Sequence, residues 1–509
     1  MSAVQTPEEI ADLVSGYISE NPQAAVVEDG RTIFDFSSAH YSAAPERDRC
    51  LLQIWSEERN IVRRTVSAEV KNGILRLSVL RFGQTKPARL EICSQAERRS
   101  PSSLKAARAR YQRTLERAAE KLFPGWTLER LTTAADLEHS FSAVYARGLL
   151  RRGQERIALV GLGEGEAQAM VDNSVAVAAL WLEYCREHLA DKAHVSTCAL
   201  VVPQGREQNA QVRLSHLNRE AVQWRIFALD ERSDEVKELD LATELNLSTH
   251  LLQCFSRGQV LERFSRAVER LRLLCPQVEC VAVSTSTVSF RYHGLEFAHA
   301  TQEADGHFRM AERIIFGAAP AEYELNDQTE PLLVRLIEQL RQKRGGRDHL
   351  HTFYRLQPER WLQSIVERDV SVLDAQLDPT LVYPQVPAFA AGDRAVIDLL
   401  GITRDGRLAV IELKAAEDFH LPIQGLDYWA RVRSHLHRED FQRAGYFPGR
   451  ILSERDPILI LAAPVLHLHP TTAIMLRYLS PEVEWKLCGL DERWRDGVRV
   501  IFRQGKKAG

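Results

Sequence analysis

Two carboxylates and a lysine interrupt an otherwise apolar pair of strands in IDLLGITRDGRLAVIELKA, residues 397–415. They are Asp398, then Glu412 and Lys414 as an E-x-K triplet, with Gln424 and Tyr428 following in PIQGLDYWARV, residues 422–432. Hard divalent cations take oxygen ligands, commonly one or two carboxylates completed by waters and a substrate phosphate. Asp398 and Glu412 supply such carboxylates, and the Leu413 carbonyl could add a third oxygen. A cation so held lowers the pKa of a bound water and offsets charge building on a phosphate. Lys414 would orient that water, steady the transition state, or act as a base if burial depressed its pKa. The residue types leave those three roles open.

The elements that must position these groups are two buried strands. AVIDLLGIT (395–403) and RLAVIELKA (407–415) are rich in Val, Ile and Leu, and Arg404-Asp405-Gly406 between them is a turn signal. A two-residue Asp-Gly hairpin would pair Leu399 with Glu412 and send Asp398 to the opposite face. A three-residue loop, with Gly406 in the left-handed position of a bulge, pairs Asp398 with Glu412 instead. Only that register brings the carboxylates together, and it is the one expected. The period of two then sets Lys414 on the face of Glu412.

This constellation resembles the PD-(D/E)XK nuclease superfamily, in its RecB-like or mismatch-endonuclease-like branch, over roughly residues 346–470. On that resemblance Asp398 matches the family's Asp, Glu412 and Lys414 its E-x-K, and Gln424 and Tyr428 its Gln-x-x-x-Tyr helix. Spacing of four puts the last two on one helical face. The acidic residue of the opening helix matches Glu359 in PERWLQSIVERDV (358–370), an amphipathic stretch that also carries Glu367. Ile397 replaces the family's Pro before the Asp. The resemblance implies a restriction-endonuclease-like mixed sheet flanked by helices, a Mg²⁺ or Mn²⁺ cofactor, and hydrolysis of nucleic-acid backbones. Past the motif, Arg431, Arg433 and Arg438 head a basic stretch expected to grip phosphates.

The 509-residue chain has a net charge of −3, 45% hydrophobic and 27% charged residues. That excludes a general basic coat, so nucleic acid would have to be met through local patches. No apolar run is long enough to span a bilayer, and the first residues read as a capped amphipathic helix rather than a leader. The eight cysteines are scattered, without C-x-x-C pairs. Free thiols in a reducing cytoplasm are expected. Three His-x-His pairs, His349/His351, His435/His437 and His467/His469, would share a face on strands but are better read as dispersed polar residues.

Upstream, residues 1–97 read as a β-rich domain with a hairpin turn at Lys71-Asn72-Gly73, and ERRSPSSLK (97–105) as a linker. Residues 98–255 read as an α/β middle domain. Its strand–long helix–strand order mimics that of the chain beyond the E-x-K strand, as a nuclease-like unit with its catalytic residues lost would. GLGEGE (161–166) lacks the third glycine of a dinucleotide loop, and its glutamates would repel a pyrophosphate. Residues 256–345 form an α+β connector ending at a Gly345-Gly346 hinge, and residues 346–509 the nuclease-like domain. No internal repeat is evident.

The expectation is therefore an α/β multidomain protein, cytoplasmic and metal-dependent, cutting nucleic acid (DNA foremost) in repair or defence. A second copy or a protein partner would be met through the N-terminal domains. Two rivals stand beside it: a nucleic-acid-binding protein that keeps the fold without turnover, and a partner scaffold whose E-x-K is coincidental.

Overall fold

The structure, a computed structural model, describes residues 5–22, 24–28, 31–36, 39–46, 49–55, 60–71, 74–80, 88–93, 101–136, 138–189, 194–241, 249–304, 310–318, 321–346, 349–390 and 396–506. It is mixed α/β, with several sheets, and divides into two compact units, Met1–Arg113 and Thr114–Gly509. The three segments expected at 98–255, 256–345 and 346–509 thus fall, from Thr114 onward, into one unit. No helix among the described residues is long and apolar enough to cross a membrane. All eight cysteines are free.

The first unit is β-rich, as expected. Its helix Pro7–Glu20 starts at Thr6, whose hydroxyl and the Glu9 carboxylate cap each other's backbone N–H groups. Seven antiparallel strands follow, and Ile10, Val14 and Ile18 of the helix share one core with Leu52, Leu77 and Leu90 of the sheet. Lys71 pairs with Ile74; Asn72 and Gly73, the expected turn, lie outside the described residues, as do residues 97–100 of the expected linker.

The second unit is built on two sheets of matching topology. The first comprises β1 (Thr127–Thr132), β2 (Ala146–Arg152), β3 (Glu155–Gly161), α1 (Gln168–Tyr184), β4 (His194–Pro203), α2 (Gln208–Ser215), β5 (Gln223–Asp230) and β6 (Glu235–Leu239). Along this sheet the pairings run antiparallel, antiparallel, parallel, parallel, antiparallel. The second comprises β7 (Thr249–Leu251), α3 (Pro358–Arg368), β8 (Tyr383–Ala390), β9 (Val396–Ile402), β10 (Leu408–Leu413), α4 (Leu421–His437), β11 (Ile458–Pro464), α5 (Thr472–Arg477), β12 (Trp485–Leu490) and β13 (Val500–Lys506). From β8 to β13 the same five pairings recur in the same order, with β7 added at the β8 edge.

The matching extends to sequence, so the reading that no repeat exists is corrected. VQWRIFALDER (222–232) and VEWKLCGLDER (483–493) agree at six of eleven positions. Asp230 accepts from Arg232 N and Asp491 from Arg493 N, each at 2.9 Å, so the same turn closes both strands. RIALVGLG from Arg156 is likewise similar to RLAVIELK from Arg407, although strand pairing sets Ala158 in the place of Val410, one residue out of step with the ungapped match. The repeat is hard to see in the sequence because residues 257–346 are inserted between the halves and the loops differ in length.

A pseudo-twofold axis relates the halves. Leu217 bridges Leu479, Asn218 N donates to Tyr478 O at 2.8 Å, and Ser480 N donates to His216 O at 2.9 Å. Helices α1, α2, α4 and α5 fill the space between the two sheets, and residues of both halves form one continuous core, including Val175, Trp181, Leu214, Leu426, Trp429 and Leu476. The far face of the second sheet packs Leu399, Ile411 and Leu413 against Leu362 and Val366 of α3.

The inserted segment 257–346 has its own core, formed by helices and a five-stranded antiparallel sheet. The expected hinge at Gly345-Gly346 is a packed corner: the buried Arg344 beside it donates to the carbonyls of Tyr292, His293, Phe353 and Leu356. His293 stacks on Trp361 of α3, centroids 4.7 Å apart.

Candidate functional site

The β9–β10 hairpin takes the three-residue loop. Thr403 N donates to Arg407 O, Gly406 N to Thr403 O, and Gly406 has φ of 88°, the left-handed position glycine occupies without steric cost. Leu399 pairs with Ile411, so the register carried one step further sets Asp398 opposite Glu412. Leu400, Ile402, Leu408 and Val410 point to the core between the sheets, and alternation places Asp398, Glu412 and Lys414 on that same face.

The strand ends open into a cavity of about 660 Å³ lined by Glu359, Asp398, Gln424 and Tyr428, with Gln363, Gln385 and Asp418 beside them. Asp398 Oδ2 accepts from Leu413 N at 3.0 Å. Lys414 Nζ lies 3.4 Å from Glu412 Oε1, 3.7 Å from Asp418 Oδ2 and 3.9 Å from Glu359 Oε1. Gln424 Nε2 donates to Tyr428 Oη at 3.0 Å, one turn along α4. Pro358 opens α3 and sets Glu359 in its first turn.

Burial raises the pKa of Asp398 and of Glu359. Burial, and then the charge of Asp398, push the Glu412 carboxyl well above the usual carboxylate value. Lys414 is pulled down by burial but pushed up by Glu412, Glu359, Asp418 and Asp398, and the net shift is upward. Glu412 Oε2 is buried with no hydrogen-bond partner. Two facing carboxylates that disfavour each other's charge, one with an orphaned oxygen, fit a divalent cation. Among the described residues no group of three or more His, Cys, Asp or Glu is spaced to hold a metal ion. Two carboxylates would suit Mg²⁺, whose other positions go to water and substrate.

The basic stretch after the motif is placed differently from expectation. Arg431 is fully buried, its guanidinium 3.0 Å from Asp427, so it cannot meet a phosphate at the surface. Arg433 is held by Asp456 at 3.0 Å, and the exposed Arg438 reaches Ser434 and Asp440. None of the three lines the cavity. The histidine pairs are structural: His351 caps the helix at Phe353, His435 and His437 sit on α4 against Asp440 and Asp456, and His469 meets Thr471.

Several cavity residues escaped the sequence reading. Gln363 Nε2 donates to Asp398 O at 3.2 Å and receives Gln385 Nε2 at 2.5 Å; Gln385, opposite Asp398, has φ of 54°. Asp172, Asn173 and Arg213 line the cavity from the first half, facing Asp427 of the second, with Arg213 Nη2 3.5 Å from Asp427 Oδ2. Only the internal repeat could have placed them there. Comparison with protein-family models, curated proteins and solved structures finds no match to this chain.

Proposed function

We propose that this protein is a metal-dependent nuclease that hydrolyses phosphodiester bonds of nucleic acid, DNA foremost, in a core of the PD-(D/E)XK kind. The observation that carries this reading is Asp398, which lines the cavity, facing Glu412 across the β9–β10 ladder, with Lys414 3.4 Å from Glu412 behind the lining residues Asp398, Glu359 and Asp418. Asp398 and Glu412 would hold Mg²⁺ or Mn²⁺, which when bound supplies an acidified water and positive charge beside the phosphate. Lys414, kept as the ammonium by four carboxylates, faces the position of a non-bridging phosphate oxygen and stabilises charge that develops there. Gln385 bonds to the Asp398 carboxylate and is itself held by Gln363, which donates to the Asp398 backbone carbonyl. Gln424 and Tyr428, locked to each other, orient the substrate from the helix side.

The test is incubation of end-labelled single- and double-stranded DNA and RNA with the full chain in Mg²⁺, Mn²⁺ or a chelator. Metal-dependent cleavage that the chelator abolishes is the expected outcome. Binding of nucleic acid and metal without any cleavage would favour the non-catalytic rival, and failure to bind at low salt the scaffold.

A further inference from the structure

The second half carries the whole ligand set; the first half carries none of it. Strand pairing puts Val160 in the place of Glu412 and Leu162 in the place of Lys414: Val160 meets Leu200 as Glu412 meets Leu461, and Leu162 N donates to Val201 O as Lys414 N donates to Ala462 O. The matched tryptophans anchor this register, since Cys198 pairs with Trp224 and Ala158, as Leu459 pairs with Trp485 and Val410. Across the hairpin Val160 pairs with Arg147, which therefore stands where Asp398 stands in the second half. Three chemical positions have become a valine, a leucine and an arginine while the strands, helices and axis around them remain.

The emptied half nevertheless borders the active cavity. Asp172 and Asn173 at the start of α1 and Gln424, Asp427 and Tyr428 at the start of α4 line the same space, and Arg213 of α2 lines it too. Arg213 is buried; its Nη1 donates to Asp172 O and its Nη2 lies 3.5 Å from Asp427, while its Nε has no hydrogen-bond partner, and the matching place in the second half holds Met475. A guanidinium at a cavity wall, sharing the single Asp427 carboxylate with Arg431 and standing where its counterpart is apolar, suits a phosphate group.

We propose that this chain is a paired nuclease in one polypeptide, in which the first half holds the nucleic-acid backbone through Arg213 and the second half cuts, so that one strand is severed per encounter. The inference rests on the nuclease reading of the Asp398–Glu412 site. Each encounter consumes one water and breaks one P–O ester bond: the water's hydroxyl joins phosphorus, and the leaving oxygen takes up a proton. The face a second cutting core would use for pairing is already filled by the first half.

Supercoiled circular DNA with Mn²⁺ tests the strand count. Open circles that accumulate first, with linear molecules appearing only later, are expected. Linear product formed as fast as the supercoiled form disappears would overturn the inference and leave the nuclease reading standing. So would circles left intact while linear DNA is degraded from its ends. No cleavage of any nucleic acid would remove both. The holding role is read by anisotropy of a labelled oligonucleotide in Ca²⁺. Arg213→Met is expected to bind about tenfold to hundredfold more weakly, with Arg213→Lys recovering part of the loss. Unchanged binding by Arg213→Met, with circular dichroism as for the wild type, would overturn that role.

Discussion

Asp398 stands opposite Glu412 across the β9–β10 ladder, and the corresponding residues across β2–β3, Arg147 and Val160, are opposite each other in the same way. One strand pairing thus occurs twice, once with two facing carboxylates and once with neither. The charged copy carries an electrostatic cost, because two carboxylates face each other at a strand end.

That cost has a measurable consequence. Glu412 holds its proton to a higher pH in the folded protein than in the unfolded chain, because burial and Asp398 raise its pKa. Stability of the metal-free protein therefore falls as pH rises from the unfolded value, about 4.5, through the folded one. Glu412→Gln removes the ionisation, so in chelator at pH 7.5 it is expected to melt higher than the wild type. The same variant is expected to lose Mn²⁺ affinity by calorimetry. A lower melting temperature with unchanged Mn²⁺ binding would contradict the assignment.

Asp427 joins the halves by charge. It is buried, 3.0 Å from Arg431 and 3.5 Å from Arg213, both themselves buried. Asp427→Ala leaves two buried guanidinium groups without their shared carboxylate, a change that costs about 3–5 kcal/mol. Denaturant unfolding checks this; a loss below about 1 kcal/mol would mean that the cluster is solvated.

How much of the site was legible in the sequence depends on the range of the interactions that set it. The hairpin register was readable because Arg404-Asp405-Gly406 fixes it locally, and the E-x-K face comes from a period of two. Arg431 was misjudged because its fate depends on Asp427 and on the first half packing over α4, both tertiary facts. Gln385 gave no signal at all, since nothing local marks a glutamine that must take a positive φ beside Asp398. The repeat was present in VQWRIFALDER and VEWKLCGLDER, but the insertion of residues 257–346 separated the copies.

His216 sits beside the pseudo-twofold axis, its ring 5.4 Å from that of Trp429. Burial first, and then Arg433, lower its pKa to about 4, while Asp456 and Asp427 act weakly in the other direction. A lowered histidine pKa means that the unfolded chain binds the proton first. Its share of stability is whole above about pH 6.5 and is lost as pH falls towards 4. Between pH 7 and 5 that share is about 2 kcal/mol. His216→Gln is expected to flatten the pH dependence of unfolding by this amount, and an unchanged slope would place the effect elsewhere.

Gly294 lets the inserted segment approach α3 closely. Its φ is 73°, and a Cβ there would collide with the Arg360 carbonyl and lie 2.8 Å from Trp361 N. Gly294→Ala is expected to cost about 1–3 kcal/mol and to displace the helix start that carries Glu359. Metal-dependent cleavage should fall about tenfold to hundredfold through misplacement alone. Full activity in this variant would show that α3 tolerates the shift or that Glu359 is dispensable.

The most direct measurement of the central claim is metal-dependent DNA cleavage by wild type, Glu412→Gln and Lys414→Ala, with oligonucleotide binding and thermal melting measured on the same preparations. The account expects both variants to fold and bind DNA while cleavage falls at least a hundredfold, on the order expected when a transition-state charge partner is removed. Cleavage that survives both substitutions would contradict it and place any activity outside the β9–β10 site.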